Sequence, residues 1–358
     1  MILVADTQVM TSALMQDHML LTCLGQKLVR LTLTEHYEDP MLSTVDMDCL
    51  SGMSRLQHLK IESKVRGKVW STQGLLSSLD CLKSFKFLGE GTLGGPLLPA
   101  LAVLPKLTTM RFSNIPGGRV ESSSAYFTAL TSFVVVDFGD AEGPHNLHIT
   151  FGQPLSSLCK LVLTACHITS LPVSLRLVSS LTRVKFERCI FTLVNWLHQA
   201  LEGATQVTSL TLRNSCDDGV PDSVFQMVGL QKLKLPYSGL TDLPAQIVQL
   251  SNLTRLDLSD NAMSCVPQAL EQMTHLRNIC LVANAESFQL TRPLTFLTTF
   301  HNLAYISICS YRQPWNSLSM FYLGQLDAAL VEAFKHRIPT ERPCCESGFS
   351  YGWPWASS

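Results

Sequence analysis

Charge is scarce in this chain. Lys, Arg, Asp and Glu make up 15% of its 358 residues, well below the quarter or so of an ordinary soluble domain. The two signs nearly cancel, 27 basic against 28 acidic, leaving a formal net charge of −1. That balance argues against a general polyanion binder. No apolar run approaches the roughly 18 residues that a membrane-spanning helix needs. The opening MILVADTQVM has no basic lead and carries Asp6 within its short apolar stretch, so no secretory signal peptide is expected. Twelve cysteines occur, yet none forms a CxxC pair. They read as reduced thiols of a cytoplasmic protein rather than as a disulfide framework. There is no Walker loop.

What the chain has in abundance is leucine at fixed intervals. Leu230, Leu233 and Leu235 are followed 23 residues later by Leu253, Leu256 and Leu258, and after another 23 by Leu276, Ile279 and Leu281. Within each LxxLxL the apolar residues alternate with outward ones, which is the period of a half-buried strand. Ser238, Asn261 and Asn284 open the turns that follow, and Leu243-Pro244 and Val266-Pro267 bend the chain back. Segments such as 245–250 then return it, loosely helical, to the next strand. This stretch resembles the leucine-rich-repeat family, and the run LTRLDLSDN is close to that family's consensus. The LPxxIxxLxxLxxLxLxxN form is similar to that of intracellular Ras-group-related repeat proteins and of plant immune receptors. The resemblance implies an α/β solenoid: a right-handed horseshoe with a parallel sheet on its inner, concave face. One coil cannot bury its own apolar side, so stability comes from stacking. The short polar side chains after each strand are expected to form a ladder that satisfies backbone groups between coils.

Extending the pattern outward gives about 12 coils, with first core positions at Leu28, Leu56, Leu82, Leu107, Leu130, Leu158, Leu181, Val207, Leu230, Leu253, Leu276 and Leu303. Five of the gaps are 23 residues and six are longer. Cys166 and Cys189 stand at ladder positions, whereas the corresponding sites nearer the start hold His36, Lys64, Glu90, Ile115 and Phe138. None of these five serves as an asparagine would, so irregular turns are expected there. Residues 1–27 read as a cap or degenerate half-repeat, with Val9 to Leu24 compatible with a helix, and 28–310 as the solenoid. Residues 311–338 read as a capping helix and 339–358 as a loosely ordered tail. Asn114–Ser124 and Phe138–Gln153 read as loops, and 192–204 as a convex helix with Leu193, Trp196, Leu197, Ala200 and Leu201 on one side.

The motifs that usually carry chemistry lack their contexts. GEGTLG, Gly89 to Gly94, matches GxGxxG, but a dinucleotide site needs a helix there and an acid about 20 residues on. GFSYG, Gly348 to Gly352, matches a nucleophile elbow, yet no Asp, Glu or His follows it. Cys344 and Cys345 are adjacent, and His145 and His148 share one predicted loop, without completing a four-ligand metal set. The Asn252–Thr254 sequon falls at a strand start, a poor place for a glycan. No cofactor and no catalytic constellation are expected. The enzymatic rival, a hydrolase or ligase using Cys344 or Ser350 in the tail, is the weaker one.

The outward positions are more informative. Of the 24 third and fifth positions of the LxxLxL strands, ten are basic: Arg30, Lys60, Lys86, Arg111, Lys160, Arg183, Lys185, Lys232, Lys234 and Arg255. Only Asp257 is acidic, while the rest of the chain holds 17 basic and 27 acidic residues. The next two positions temper this with Glu35, Glu62, Asp137, Glu187 and Asp260 against Arg188 and Arg213. Two readings stand: steering of an acidic or phosphorylated protein partner, or plain solvation of an exposed sheet. The candidate contact patch is Lys160, Arg183, Lys185, Arg213, Lys232, Lys234, Tyr237 and Arg255. Nucleic acid fits poorly, because only Tyr305 and Tyr237 offer stacking rings. The expected function is a non-enzymatic protein-interaction scaffold. The alternative, a substrate receptor of a ubiquitin ligase, would show an F-box ahead of the repeats, and no LPxxLLxxIF-like stretch occurs there.

Overall fold

A computed structural model describes residues 2–6, 25–34, 44–63, 69–71, 78–89, 92–93, 100–101, 103–113, 119–122, 129–136, 148–151, 156–168, 175–191, 195–216, 219–284 and 294–310. Within them the chain winds as an open array around one parallel sheet of thirteen strands in sequence order. Every one of the twelve anticipated strands is present, from Arg30–Thr34 to Tyr305–Ser310. Their twelve first core residues are all buried, none more than 2% exposed. The thirteenth strand, Ile2–Asp6, pairs in parallel with Arg30–Thr34 and extends the sheet beyond the first expected coil.

The alternation read from the sequence is the alternation of burial. Along Ser209–Arg213 and His58–Ser63 the side chains are buried and part-exposed by turns. Register is held in the same way between neighbours. The carbonyl two residues before each strand core accepts two successive N–H groups from the next coil, as Val29 does from Gln57 and His58 and Arg277 does from Ala304 and Tyr305. Threonines reinforce this seam: Thr108, Thr131, Thr182, Thr208 and Thr254 each donate a side-chain hydroxyl back to the preceding coil's carbonyl at 3.0–3.2 Å. Thr254 and Asn252 of the sequon are thus both engaged with the coil below, Asn252 through Val228 O at 2.9 Å.

In the second half the polar ladder forms as expected, and Ser215 joins it. Cys189 Sγ reaches Leu163 O, Ser238 Oγ reaches Leu212 O, Asn261 Nδ2 reaches Leu235 O, and Asn284 Nδ2 reaches Leu258 O. One residue before each rung the backbone turns left-handed: Ala165, Arg188, Asn214, Tyr237 and Asp260 have φ of 54°, 53°, 46°, 56° and 55°. That conformation costs about 1–2 kcal/mol for a residue with a Cβ. Each of these N–H groups is nonetheless satisfied by the next coil, from Ala165 to Glu187 O through Asp260 to Val282 O.

The first half solves the turn differently. The substituted rungs His36, Lys64, Glu90, Ile115 and Phe138 lie outside the described residues. What the structure shows there is a set of small parallel sheets beside the main one: Thr44–Asp46 with Val69–Ser71 and Thr92–Leu93, and Arg119–Ser122 with His148–Phe151. The two stretches expected to be loops, 114–124 and 138–153, are therefore corrected in part, since each contains one of these paired strands. Aromatic packing accompanies the change. Trp70 is fully buried edge-on against Phe87, and Phe112 touches both Phe85 and Phe133. Trp70 Nε1 donates to Ser63 Oγ at 3.1 Å. Gly89 takes φ 125°, and a Cβ there would stand 1.7 Å from the Ser63 carbonyl oxygen. The GxGxxG match thus begins at a glycine demanded by coil packing, and Thr92–Leu93 is a strand, not the helix of a dinucleotide site.

On the convex side, Asp222–Gln226, Ala245–Gln249 and Gln268–Gln272 are single 3-10 turns, each entered through a proline, Pro221, Pro244 or Pro267, in extended conformation. Proline suits that place because its fixed φ starts the turn and its missing N–H would have been unsatisfied there. The anticipated helix in 192–204 is α-helical over Trp196–Leu201, burying Leu197, Ala200 and Leu201. The expected helices in 9–24 and 318–337 and the tail residues Cys344, Cys345 and Ser350 lie outside the described residues.

Candidate protein-binding face

The inner wall carries three outward columns, one per alternate strand position. The first runs Arg30, His58, Ser84, Thr109, Ser132, Lys160, Arg183, Ser209, Lys232, Arg255, Asn278, Tyr305. The second includes Lys60, Lys86 and Arg111 in successive strands, and later Lys185, Thr211, Lys234 and Asp257. The third places Glu187 beside Arg213. Parallel strands lie about 4.8 Å apart, so residues adjacent in a column are side-chain neighbours.

The candidate patch is assembled, but its members are not alike. Lys160 and Arg183 are register partners, as are Lys232 and Arg255, with Ser209 between the two pairs. Arg183 and Arg255 are exposed, and among the described residues no carboxylate lies within ion-pair distance of either. Lys185, Arg213 and Tyr237 are instead drawn into one cluster. The almost fully buried carboxylate of Glu187 takes Lys185 at 2.6 Å and Arg213 at 3.4 Å. The Arg213 guanidinium carbon sits 5.0 Å over the Tyr237 ring, a cation–π contact, and the Tyr237 hydroxyl bonds to Asp260. Burial pushes the Asp260 carboxyl above its ordinary value, with the Tyr237 hydrogen bond and Arg213 pulling the other way. Lys234 stands 3.8 Å from Asp257, whose other contact is the hydroxyl of Ser259 at 2.8 Å.

Four successive strands nearer the start form a second cationic region that the sequence reading counted but did not group. Arg30, Lys60, Lys86 and Arg111 project from them, with His58 between Arg30 and Ser84 and the exposed Lys83 at the strand mouth. Glu62 pairs with Lys60. Burial, then Arg30, Lys83 and Lys86 in that order, hold the His58 imidazole below its ordinary value of 6.5. The signal for this group was in the sequence, in the equal spacing of the four strands; their irregular turns concealed it. Among the described residues no cluster of three or more His, Cys, Asp or Glu side chains could hold a metal ion. No helix among them is long and apolar enough to cross a membrane.

Comparison with known proteins agrees with this geometry. A model of the leucine rich repeat family matches residues 228–285. A leucine-rich-repeat protein of Leptospira interrogans superposes with a TM-score of 0.57 at 18% identity, over 80% of this chain and 74% of the other. A chain of the Toll–Spatzle complex of Drosophila superposes with a TM-score of 0.51 at 18% identity, over 86% of this chain and 42% of the other. No curated protein matches the sequence.

Proposed function

Because the chain is a leucine-rich-repeat solenoid, we propose that it works as a non-enzymatic scaffold that holds an acidic protein partner against its inner wall. The observation that carries this reading is the register-locked cationic column, in which Lys160 and Arg183, then Lys232 and Arg255, stand side by side. Charges placed this way steer an encounter and fix its register more than they add raw affinity. Lys185, Arg213 and Tyr237 contribute as a braced edge of the patch, and Lys234 beside Asp257 is its half-neutralised margin. A protein complex is also what one fold neighbour's structure contains, that of Toll and Spatzle. A reducing, cytoplasmic setting suits the ladder, since Cys189 donates to Leu163 O as a thiol and its disulfide has no such proton.

The test is cross-linking and quantitative capture from cell extract with the wild-type chain and an Arg183→Glu/Lys232→Glu/Arg255→Glu variant. Partners held on the wall should be depleted from the variant, with slower association and a steeper loss in the wild type as salt rises. If the variant retains every partner with unchanged salt dependence, the cations serve solvation and the proposal falls.

A further inference from the structure

The cationic region over the first expected strands departs most from what folding alone would select. Arg30–Thr34, His58–Ser63, Ser84–Gly89 and Thr109–Ser113 present twelve outward positions on the wall. Arg30, Lys60, Lys86 and Arg111 stand among these, with His58, and Glu62 is the one acid of the twelve. Lys60, Lys86 and Arg111 are direct register neighbours in three consecutive strands, the placement in which like charges oppose pairing. The later half of the wall treats its cations otherwise, setting Glu187 against Lys185 and Arg213 and Asp257 against Lys234. Lys86 and Arg111 are exposed, and among the described residues neither has a carboxylate at ion-pair distance. Repulsion left standing in an exposed, well-registered row is relieved when anionic groups settle on it.

The same face indicates which anion. None of the twelve outward side chains is aromatic, so the wall offers no platform on which nucleic acid bases stack. Beyond Arg111 it becomes uncharged at once, through Ser132, Val134 and Val136 and on to Val162. We propose that Arg30, Lys60, Lys86 and Arg111 form a docking surface for a carboxylate-rich segment of a protein partner, laid across these four strands with aliphatic residues following over Val136 and Val162. This rests on the scaffold reading above and locates the acidic element of the partner away from the patch around Arg183.

A fluorescein-labelled oligo-glutamate peptide titrated onto the full chain, followed by anisotropy, tests it. The wild type should bind, and binding should fade as ionic strength approaches 1 M, where the screening length is about 3 Å. Lys86→Glu/Arg111→Glu should weaken binding about tenfold or more, while Arg183→Glu/Arg255→Glu should change it far less. Circular dichroism checks that both variants fold, and Lys86→Gln/Arg111→Gln replaces the first pair if reversal unfolds it. No binding to the wild type, or equal weakening by both pairs, overturns the proposal. Displacement of the peptide by poly-uridine at lower concentration than by unlabelled peptide also overturns it, in favour of nucleic acid. Loss only with Arg183→Glu/Arg255→Glu sinks this site and leaves the scaffold reading intact, since that reading is judged by its own capture experiment.

Discussion

Replacing Asn261 by alanine removes one side chain that serves two coils at once. Its Oδ1 accepts the N–H groups of Ser238 at 2.9 Å and Leu240 at 3.2 Å in the coil below. Its Nδ2 donates to Leu235 O at 2.8 Å, Leu258 O at 3.0 Å and Ser259 O at 3.2 Å. The two stranded N–H donors cost about 1–3 kcal/mol each, so the substitution should destabilise by roughly 2–6 kcal/mol before water enters the gap. Ser238→Ala deletes one hydroxyl donor, to Leu212 O, and should cost about 1 kcal/mol. Asn261→Asp keeps the acceptor but turns a carboxylate toward three carbonyls, so it should be worse at neutral pH than under acid conditions. Coils of a solenoid touch only their neighbours, and the loss should therefore be local. Urea unfolding gives the size, and amide hydrogen exchange gives the place: faster exchange across 230–284, unchanged protection across 56–113. An Asn261→Ala chain no less stable than Ser238→Ala, or exchange raised equally along the whole array, would refute the ladder as the organiser of these turns.

Gly89→Ala should destabilise by well over ~2 kcal/mol in the same urea assay, because φ is 125° and the Cβ would meet the Ser63 carbonyl at 1.7 Å. Asp260→Asn should stabilise the fold at neutral pH. Burial raises the Asp260 carboxyl above 3.8, so its contribution is full below the unfolded value and is lost as pH rises through the folded one; thermal melts of the two proteins should converge in acid. His58 runs the opposite way: held below 6.5 by burial and by Arg30, Lys83 and Lys86, its contribution is full above 6.5 and is lost as pH falls through the folded value. An NMR titration should show Arg30→Gln lifting the His58 midpoint more than Lys86→Gln; the reverse order would count against the geometry of that cluster.

The twelve strands were legible because the pattern is local and redundant. LxxLxL tests burial three times in six residues, and a slip of one residue would turn Leu233, Leu256 and Ile279 out to water. Cys166 and Cys189 could be assigned to the ladder by spacing alone. The strands Arg119–Ser122 and His148–Phe151 were not legible, since the reason for each is the other, 29 residues away in sequence. Ile2–Asp6 escaped for a related reason: its partner strand follows an interval longer than any of those that fit the repeat.

The candidate face divides along the same line. Composition and period alone determined that cations would occupy the outward strand positions, because alternation follows from backbone geometry. Which of them would be neutralised was decided only when coils stacked. Lys185 and Arg213 meet at Glu187 across a strand boundary, and Tyr237 reaches both Arg213 and Asp260 from a left-handed turn. Arg183, Lys86 and Arg111 acquire no such acid among the described residues. A strand's side-chain direction is a property of a few consecutive residues, whereas an ion pair depends on the distance between residues that the chain itself holds 23 or more apart.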